Sequence, residues 1–264
     1  MQTLIEYKGL IVLVVFVLLF AAEHMKPAVV YTLHPVERIF KNLFFWPINI
    51  VLSLAVILPV TYWASQHALW ERPEALSGVA GLALDILILD LFIYWWHRAV
   101  HEIPFFWRFH EVHHLDEHLD TTSAIRFHFG EIFFGTFVRA AVVIVFAVPF
   151  TSVVIFEVMV LAFTFFHHSN LAMPPRFEKA LSKVIITPSI HWVHHHAIRK
   201  DTDSNYGTIF SFWDRIFRSK SKTKRFQNMA IGVEGRRDKG YFKLLFAPFI
   251  DRRSYRKFDK NSWG

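Results

Sequence analysis

Of the 16 histidines in this 264-residue chain, 13 fall between residues 97 and 196. His97 and His101 are spaced i, i+4, which puts two imidazoles on one face of a helix. His110, His113 and His114 are spaced i, i+3, i+4, and His191, His194 and His195 repeat that pattern. These spacings let a helix aim several ring nitrogens at one point. Imidazole suits iron, copper, nickel and zinc, so three such clusters can enclose one metal or a pair. The chain has no cysteine, which excludes disulfides, thiolate-held haem, iron–sulfur clusters and cysteine-type zinc sites. Any metal must therefore be held by His, Asp or Glu. The isolated His24, His34, His67 and His118 read instead as satisfied boundary or surface residues.

The elements that position these clusters are apolar. The chain is 53% hydrophobic and 17% aromatic, with mean hydropathy +0.31, beyond ordinary globular usage. Nearly unbroken apolar runs cover 9–22, 43–64 and 79–96, each near the roughly 20 residues that cross a bilayer. Residues 132–166 exceed one crossing and are interrupted at Pro149-Phe150-Thr151-Ser152, which reads as a hairpin tip. The fold class is all-α: four or five transmembrane helices with a His-rich helical cap. Eight clustered histidines beside hydrocarbon would be costly without a metal.

Orientation follows from Lys26, Arg38 and Lys41 between the first two spans, against Arg72 alone between the second and third. The first loop then lies inside, and the cap lies on the cytoplasmic side of a multi-pass protein. Residues 176–264 hold 20 Lys/Arg against 8 Asp/Glu. A basic tail after apolar spans fits an anionic membrane surface better than nucleic acid. The chain has no glycine-rich nucleotide-binding turn.

The sequence resembles the fatty acid hydroxylase and sterol desaturase superfamily of membrane di-iron enzymes. The resemblance is carried in order by Asp90-Leu-Phe-Ile-Tyr94-Trp-Trp-His97-Arg98-Ala-Val-His101, Phe109-His110-Glu-Val-His113-His114 and Thr121-Thr-Ser-Ala-Ile-Arg126-Phe-His128-Phe-Gly-Glu131. It continues through His168-Ser169-Asn170, Thr187-Pro188-Ser189-Ile-His191-Trp-Val-His194-His195, Asp203-Ser-Asn205-Tyr206-Gly207 and Trp213-Asp214-Arg215-Ile-Phe217. It departs at Arg218-Ser219, where Gly-Thr is usual, and at Phe129, where Pro is usual. The resemblance implies metal ligation by the three boxes and by two further histidines, His128 and His168, the latter selected over its neighbour His167.

Within that picture Asp90 and Tyr94 share the helical stripe of His97 and His101. Asp90 is expected to accept a hydrogen bond from a ligand ring, with a polar contact between helices as the alternative. Asn205, Tyr206 and Asp214 either brace the third box or serve turns and caps. Three segments are expected: N-terminal membrane helices (1–78), a catalytic domain (79–218) and a basic interfacial tail (219–264). The implied chemistry is O2-dependent hydroxylation or desaturation of a fatty acyl or sterol-like lipid by two iron ions, with zinc able to enter purified material. Without flavin, nicotinamide or cysteine motifs, electrons must come from a separate donor such as a ferredoxin or cytochrome b5-like protein. Two alternatives stand beside this reading. His110-Glu111-Val112-His113-His114 literally matches the H-E-x-x-H of zinc hydrolases, and a non-catalytic metal-binding protein would keep the same ligands.

Overall fold

Each apolar run folds as a helix because the backbone's polar groups have no other partners in hydrocarbon. The computed structural model describes residues 7–30 and 35–250; the isolated His34 and the end of the basic tail lie outside them. Helix α1 spans Lys8–Met25. Helix α2, Pro35–Leu52, contains Pro47 and continues through a π turn at Ser53–Ile57 into α3, Leu58–Gln66. Pro59, at the start of α3, has no N–H to bond the carbonyl of Ala55 inside that π turn. Helix α4, Gly78–Glu102, stops because extended Ile103 precedes Pro104, the first residue of α5, Pro104–His114.

Helices α6, Phe129–Phe146, and α7, Phe150–His168, form the expected hairpin. Its tip is Ala147, left-handed at φ 50°, followed by Pro149. Shorter helices complete the cap: α8 (Pro175–Leu181), α9 (Pro188–His194), α10 (Arg199–Thr202), α11 (Phe212–Ile216) and α12 (Tyr241–Ile250). Among the described residues there is no strand, only isolated bridges. Among the described residues five segments are long and apolar enough to cross a membrane: α1, α2 with α3, α4, α6 and α7. The count is five, because the long apolar stretch divides at Pro149 as its composition implies.

Sidedness of the loops follows from contacts. The loop after α3 meets the hairpin tip: Trp70 Nε1 donates to Val145 O at 2.8 Å and Arg72 to Ala147 O at 3.1 Å. The loop after α1 meets the cap instead, where Asn170 brackets Val29 with hydrogen bonds of 3.0 and 2.7 Å. Thus the first loop shares a side with the histidines and the second is opposite, in the relative order expected.

Three of the four cations used to orient the chain are paired with carboxylates. Arg38 is buried and donates to Asp116 at 3.1 Å and to Asp120. Lys41 lies 3.1 Å from Glu37 and 3.6 Å from Asp238, while Arg72 lies 2.9 Å from Asp85. Buried Glu23 of α1 accepts the backbone N–H groups of Thr121 and Asn170 at 3.0 and 2.8 Å, tying the first span to the cap. Nothing in the apolar periodicity of α1 signals that tie.

Burial by itself would raise the Asp116 carboxyl, but Arg38 and Arg126 outweigh it and hold the group below the ordinary carboxylate range. Its stabilising contribution is therefore complete above the ordinary aspartate value near 4 and is lost as pH falls below it. Arg38→Ala, which takes from buried Asp116 and Asp120 their shared ion-pair partner, is expected to cost about 3–5 kcal/mol, against at most about 1 kcal/mol for breaking the more exposed Lys41–Glu37 pair with Lys41→Ala. Thermal unfolding of both variants in one detergent at neutral pH measures the difference; equal shifts would refute the structural role given to Arg38.

Candidate metal centre

Nine of the ten expected ligand histidines meet at two adjacent points. One group is His97, His101, His110, His114 and His194; the other is His113, His168, His191 and His195. Within each group one ring nitrogen per residue lies within 4.8 Å of all the others. The groups adjoin, with the His114 and His195 rings stacked at 4.2 Å.

Helix geometry divides the two i, i+3, i+4 boxes, while His97 and His101 stay together in the first group. Residues i and i+4 diverge by about 40° around the axis, but i+3 and i+4 by about 100°. His110 and His114 of α5 accordingly enter the first group while His113 turns to the second. His191 and His195, at the end of α9, enter the second group while His194 turns to the first. The i, i+3, i+4 pattern therefore feeds two groups of imidazoles, where spacing by itself left one metal or a pair open.

Hydrogen bonds on the outer nitrogens fix which nitrogen points inward. The Nδ1–H of His97 donates to Tyr206 O at 2.8 Å, that of His168 to Thr164 O at 2.8 Å and that of His194 to Ser204 O at 2.7 Å. His110 Nδ1–H donates to both carboxylate oxygens of Glu131 at 2.9 Å. A neutral imidazole that donates from Nδ1 carries its lone pair on Nε2. The inward Nε2 atoms of His97 and His110 stand 3.2 Å apart, and those of His168 and His191 stand 3.0 Å apart. In the His97–His110 pair both Nδ1 atoms donate outward, so two lone pairs face one another at this distance and repel, and a cation between them removes the repulsion. His194 Nε2 and both ring nitrogens of His101 are buried without a hydrogen-bond partner. Burial first and neighbouring imidazoles second hold His113, His114, His191 and His195 well below the ordinary histidine range, hence neutral. Neutral, inward-facing nitrogens are the donor set a first-row metal takes, so the residues fit two metal ions.

The other expected residues have different partners. His128 stands outside both groups: its Nδ1 accepts Gly130 N–H at 3.0 Å, capping α6, and its Nε2 donates to Leu245 O at 2.9 Å. Asp90 touches no imidazole. Its carboxylate accepts from Ile209 N, Phe210 N and Trp213 Nε1 at 3.1, 3.1 and 2.9 Å, so the contact between elements is what the structure contains. Tyr94 OH bonds Ser219 Oγ at 2.7 Å. Asn205 adopts φ 53°, donates to Ile190 O at 3.2 Å on α9 and accepts Ser221 N–H at 3.0 Å. Asp214 accepts Tyr206 N–H and Gly207 N–H at 2.8 and 3.0 Å. A side chain at Gly207 would put its Cβ 2.9 Å from that carboxylate. These residues clamp the loop whose carbonyls, at Ser204 and Tyr206, orient His194 and His97.

Sequence reasoning missed Glu131 and Asp203 as partners of ligand rings. Glu131 was visible as the acidic residue that follows His128 in the matched motif. Asp203 lies 3.5 Å from His101 Nδ1, and burial pushes its carboxyl up to about 6 against the opposing pull of Arg199. His167 packs its ring 4.0 Å from His191 but falls outside the convergent set, whereas His168 is inside it. Glu111, which a zinc-hydrolase reading needs as a base, accepts from Arg236 at 3.2 Å. His196 is engaged with Asp201 at 2.8 Å.

The fatty acid hydroxylase family profile matches residues 82–219, the stretch that carries every one of these histidines. The chain belongs to the fatty acid hydroxylase family. It is 27% identical over 188 residues to the ornithine lipid hydroxylase OlsE of Rhizobium tropici, covering 71% of this chain and 53% of that protein. It is 29% identical over 180 residues to an alkylglycerol monooxygenase of Caenorhabditis elegans, covering 62% and 31% respectively. A cholesterol 25-hydroxylase-like protein of Danio rerio is 26% identical over 160 residues, 59% of this chain and 61% of that one. The chain thus spans about half the length of the first of these relatives and less than a third of the second. No solved structure matches it.

The split of the boxes predicts site-selective loss. His113→Ala should empty the second group preferentially, and His101→Ala or His194→Ala the first, each lowering bound metal by about one ion per chain. His128→Ala, His24→Ala and His67→Ala should leave metal content unchanged. Elemental analysis after gentle purification, with metal-centre spectroscopy to tell the two sites apart, checks this partition. Glu131→Gln should weaken metal retention by about 10 to 100-fold, as loss of a ligand-orienting acceptor does elsewhere.

Proposed function

We propose that the chain is an O2-dependent hydroxylase or desaturase of a membrane lipid, using two iron ions held by the nine clustered imidazoles. The observation that carries this reading is that both histidine groups face one cavity of about 420 Å³ running into the span region. His97, His110 and His113 of the first two boxes line it together with His168 and His191. Its walls include Phe92, Ile93 and Trp96, and two further lining residues, Trp46 and Ile50 of α2, are exposed on the apolar outer surface. A lipid can approach by that route without leaving the bilayer. When bound, an iron pair supplies O2 activation by sharing an electron count that one ion alone does not provide.

The chain's own contribution is positional and electrostatic. Four of the nine rings, those of His97, His110, His168 and His194, keep their lone pairs inward because Tyr206, Glu131, Thr164 and Ser204 hold the outer protons. Apolar walls exclude water from the reacting carbon and raise the strength of every polar contact there. The relatives' names, hydroxylase of an ornithine lipid and monooxygenase of alkylglycerol, support a lipid substrate and oxygen as co-substrate. Two irons per chain are expected on metal analysis, with O2 and reductant both required to form hydroxylated or desaturated lipid. One ion per chain with zinc required for turnover would sink the proposal. Zinc in purified material by itself would not, given the affinity order of divalent ions.

Electrons are supplied from outside by an acidic ferredoxin or cytochrome b5-like donor on the cytoplasmic side. Exposed Arg215, Arg218, Lys220, Lys222 and Lys224 follow the loop that orients His97 and His194, and Asn205 N–H bonds Ser219 O at 2.9 Å within that run. Arg225 is set apart, with its guanidinium 5.2 Å over the Trp192 ring. Charge reversal at Lys220, Lys222 and Lys224 should slow reduction by the protein donor and flatten its salt dependence, while turnover with a small uncharged reductant is preserved. If both turnovers fall together, or neither changes, the basic run belongs to the lipid surface.

A further inference from the structure

The cavity beneath the histidines has a second polar end that metal binding does not use. Arg139 of α6 and Glu157 of α7 both line it, and their side chains form an ion pair at 3.1 Å while remaining only 15% and 24% exposed. Both sit well inside segments apolar enough to cross a membrane. Ionisable groups at such depth are costly and face interior or wet cavities when they are kept. Arg139 Nε is buried with no hydrogen-bond partner among the described residues. By contrast Thr136 and Thr164, other polar residues of the lining, give their hydroxyls to carbonyls of their own helices at 2.8 and 2.6 Å.

Distance along the helices separates this pair from the metal groups. From Glu131, which holds His110, to Arg139 is eight residues of α6, about 12 Å; from Glu157 to His168 is eleven residues of α7, about 16 Å. The cavity is therefore a slot with ligand histidines at one end, apolar walls between, and a charge pair at the other. The pair is neutral as a unit. A carboxylate arriving there would meet Glu157, and an ammonium would meet Arg139. A hydroxyl suits both: its oxygen accepts from the Arg139 guanidinium, and its proton goes to a Glu157 carboxylate oxygen.

We propose that Arg139 and Glu157 recognise a hydroxyl group on the lipid, carried about 12–16 Å from the carbon held at the histidines. The assignment rests on the lipid-oxidation reading only in calling that carbon the one oxidised. A lipid lacking the hydroxyl leaves the desolvated pair without its partner, and a hydrogen bond to a charged group commonly amounts to tenfold or more in affinity.

Binding to the metal-loaded full chain in nanodiscs tests this without turnover. Radiolabelled 1-tetradecanol should bind saturably and about tenfold or more tighter than tetradecane, and tighter than tetradecanoate or tetradecylammonium. In the doubly substituted Arg139→Leu, Glu157→Leu chain the preference for the alcohol over the alkane should fall to near unity with metal content retained, since replacing a buried pair by apolar residues is often neutral for folding. Tetradecanol carrying a diazirine beside its hydroxyl should label peptides around residues 139 and 157, a readout that needs no variant. Equal binding of alcohol and alkane, a preference that survives the double substitution, or labelling confined to other peptides would each overturn the proposal and leave the pair as a strap between α6 and α7. Failure to detect any oxidised lipid would instead count against the enzymatic reading, because neither measurement here depends on turnover.

Discussion

The constraint on which the structure depends is the direction of imidazole lone pairs. A histidine ring turns its Nε2 lone pair inward reliably only when something outside holds the proton on Nδ1. Here the holders are the carbonyls of Ser204, Tyr206 and Thr164 and the carboxylate of Glu131. Two of these acceptors belong to a loop with no regular structure of its own. That loop is clamped from four directions, by Asp214 on the N–H groups of Tyr206 and Gly207, by Asp90 just beyond on Ile209 and Phe210, by Asn205 on α9 and by Ser219. Residues that never approach the metal groups thus decide which way their ligands face.

A second consequence follows from placing this assembly at an apolar boundary. Low local dielectric strengthens complete polar networks and penalises incomplete ones. The junction of spans and cap accordingly contains closed sets: Glu23 with two backbone donors, Arg38 and Asn42 with Asp116, and Arg126 with Asp238 and the carbonyl of Val112. Asp116 follows α5 directly, so the same pairing that docks α2 also fixes the helix that carries His110, His113 and His114. Anchoring of the apolar helices and the arrangement of the imidazoles are one mechanical problem in this chain.

The cavity extends that coupling toward substrate. Its Arg139–Glu157 end is carried on the two arms of one hairpin, α6 and α7, which bear Glu131 and His168 at the histidine end, and Thr136 and Thr164 between them give their hydroxyls to carbonyls of their own helices. A slot with polar ends and an apolar middle selects by the separation of functional groups along a ligand as well as by its bulk. Rigid helical arms keep that separation fixed.

Local periodicity made much of this legible in the sequence. Three apolar runs, a fourth longer stretch with its break at Pro149, the helical spacing of the boxes and the choice of His168 all rest on 3.6-residue geometry, bilayer length or a contiguous motif. What the sequence left open depends on contacts between distant segments. Whether His113 joins His110 or parts from it depends on how α5 meets α9, and His128 faces a carbonyl 117 residues away in α12. Asp90 sits on the ligand stripe of α4, yet its carboxylate is taken by donors about 120 residues further on. The periodicity of one helix states which residues share a face; only the packed tertiary structure states what that face meets, because hydrogen-bond acceptors and apolar walls are supplied by other parts of the chain.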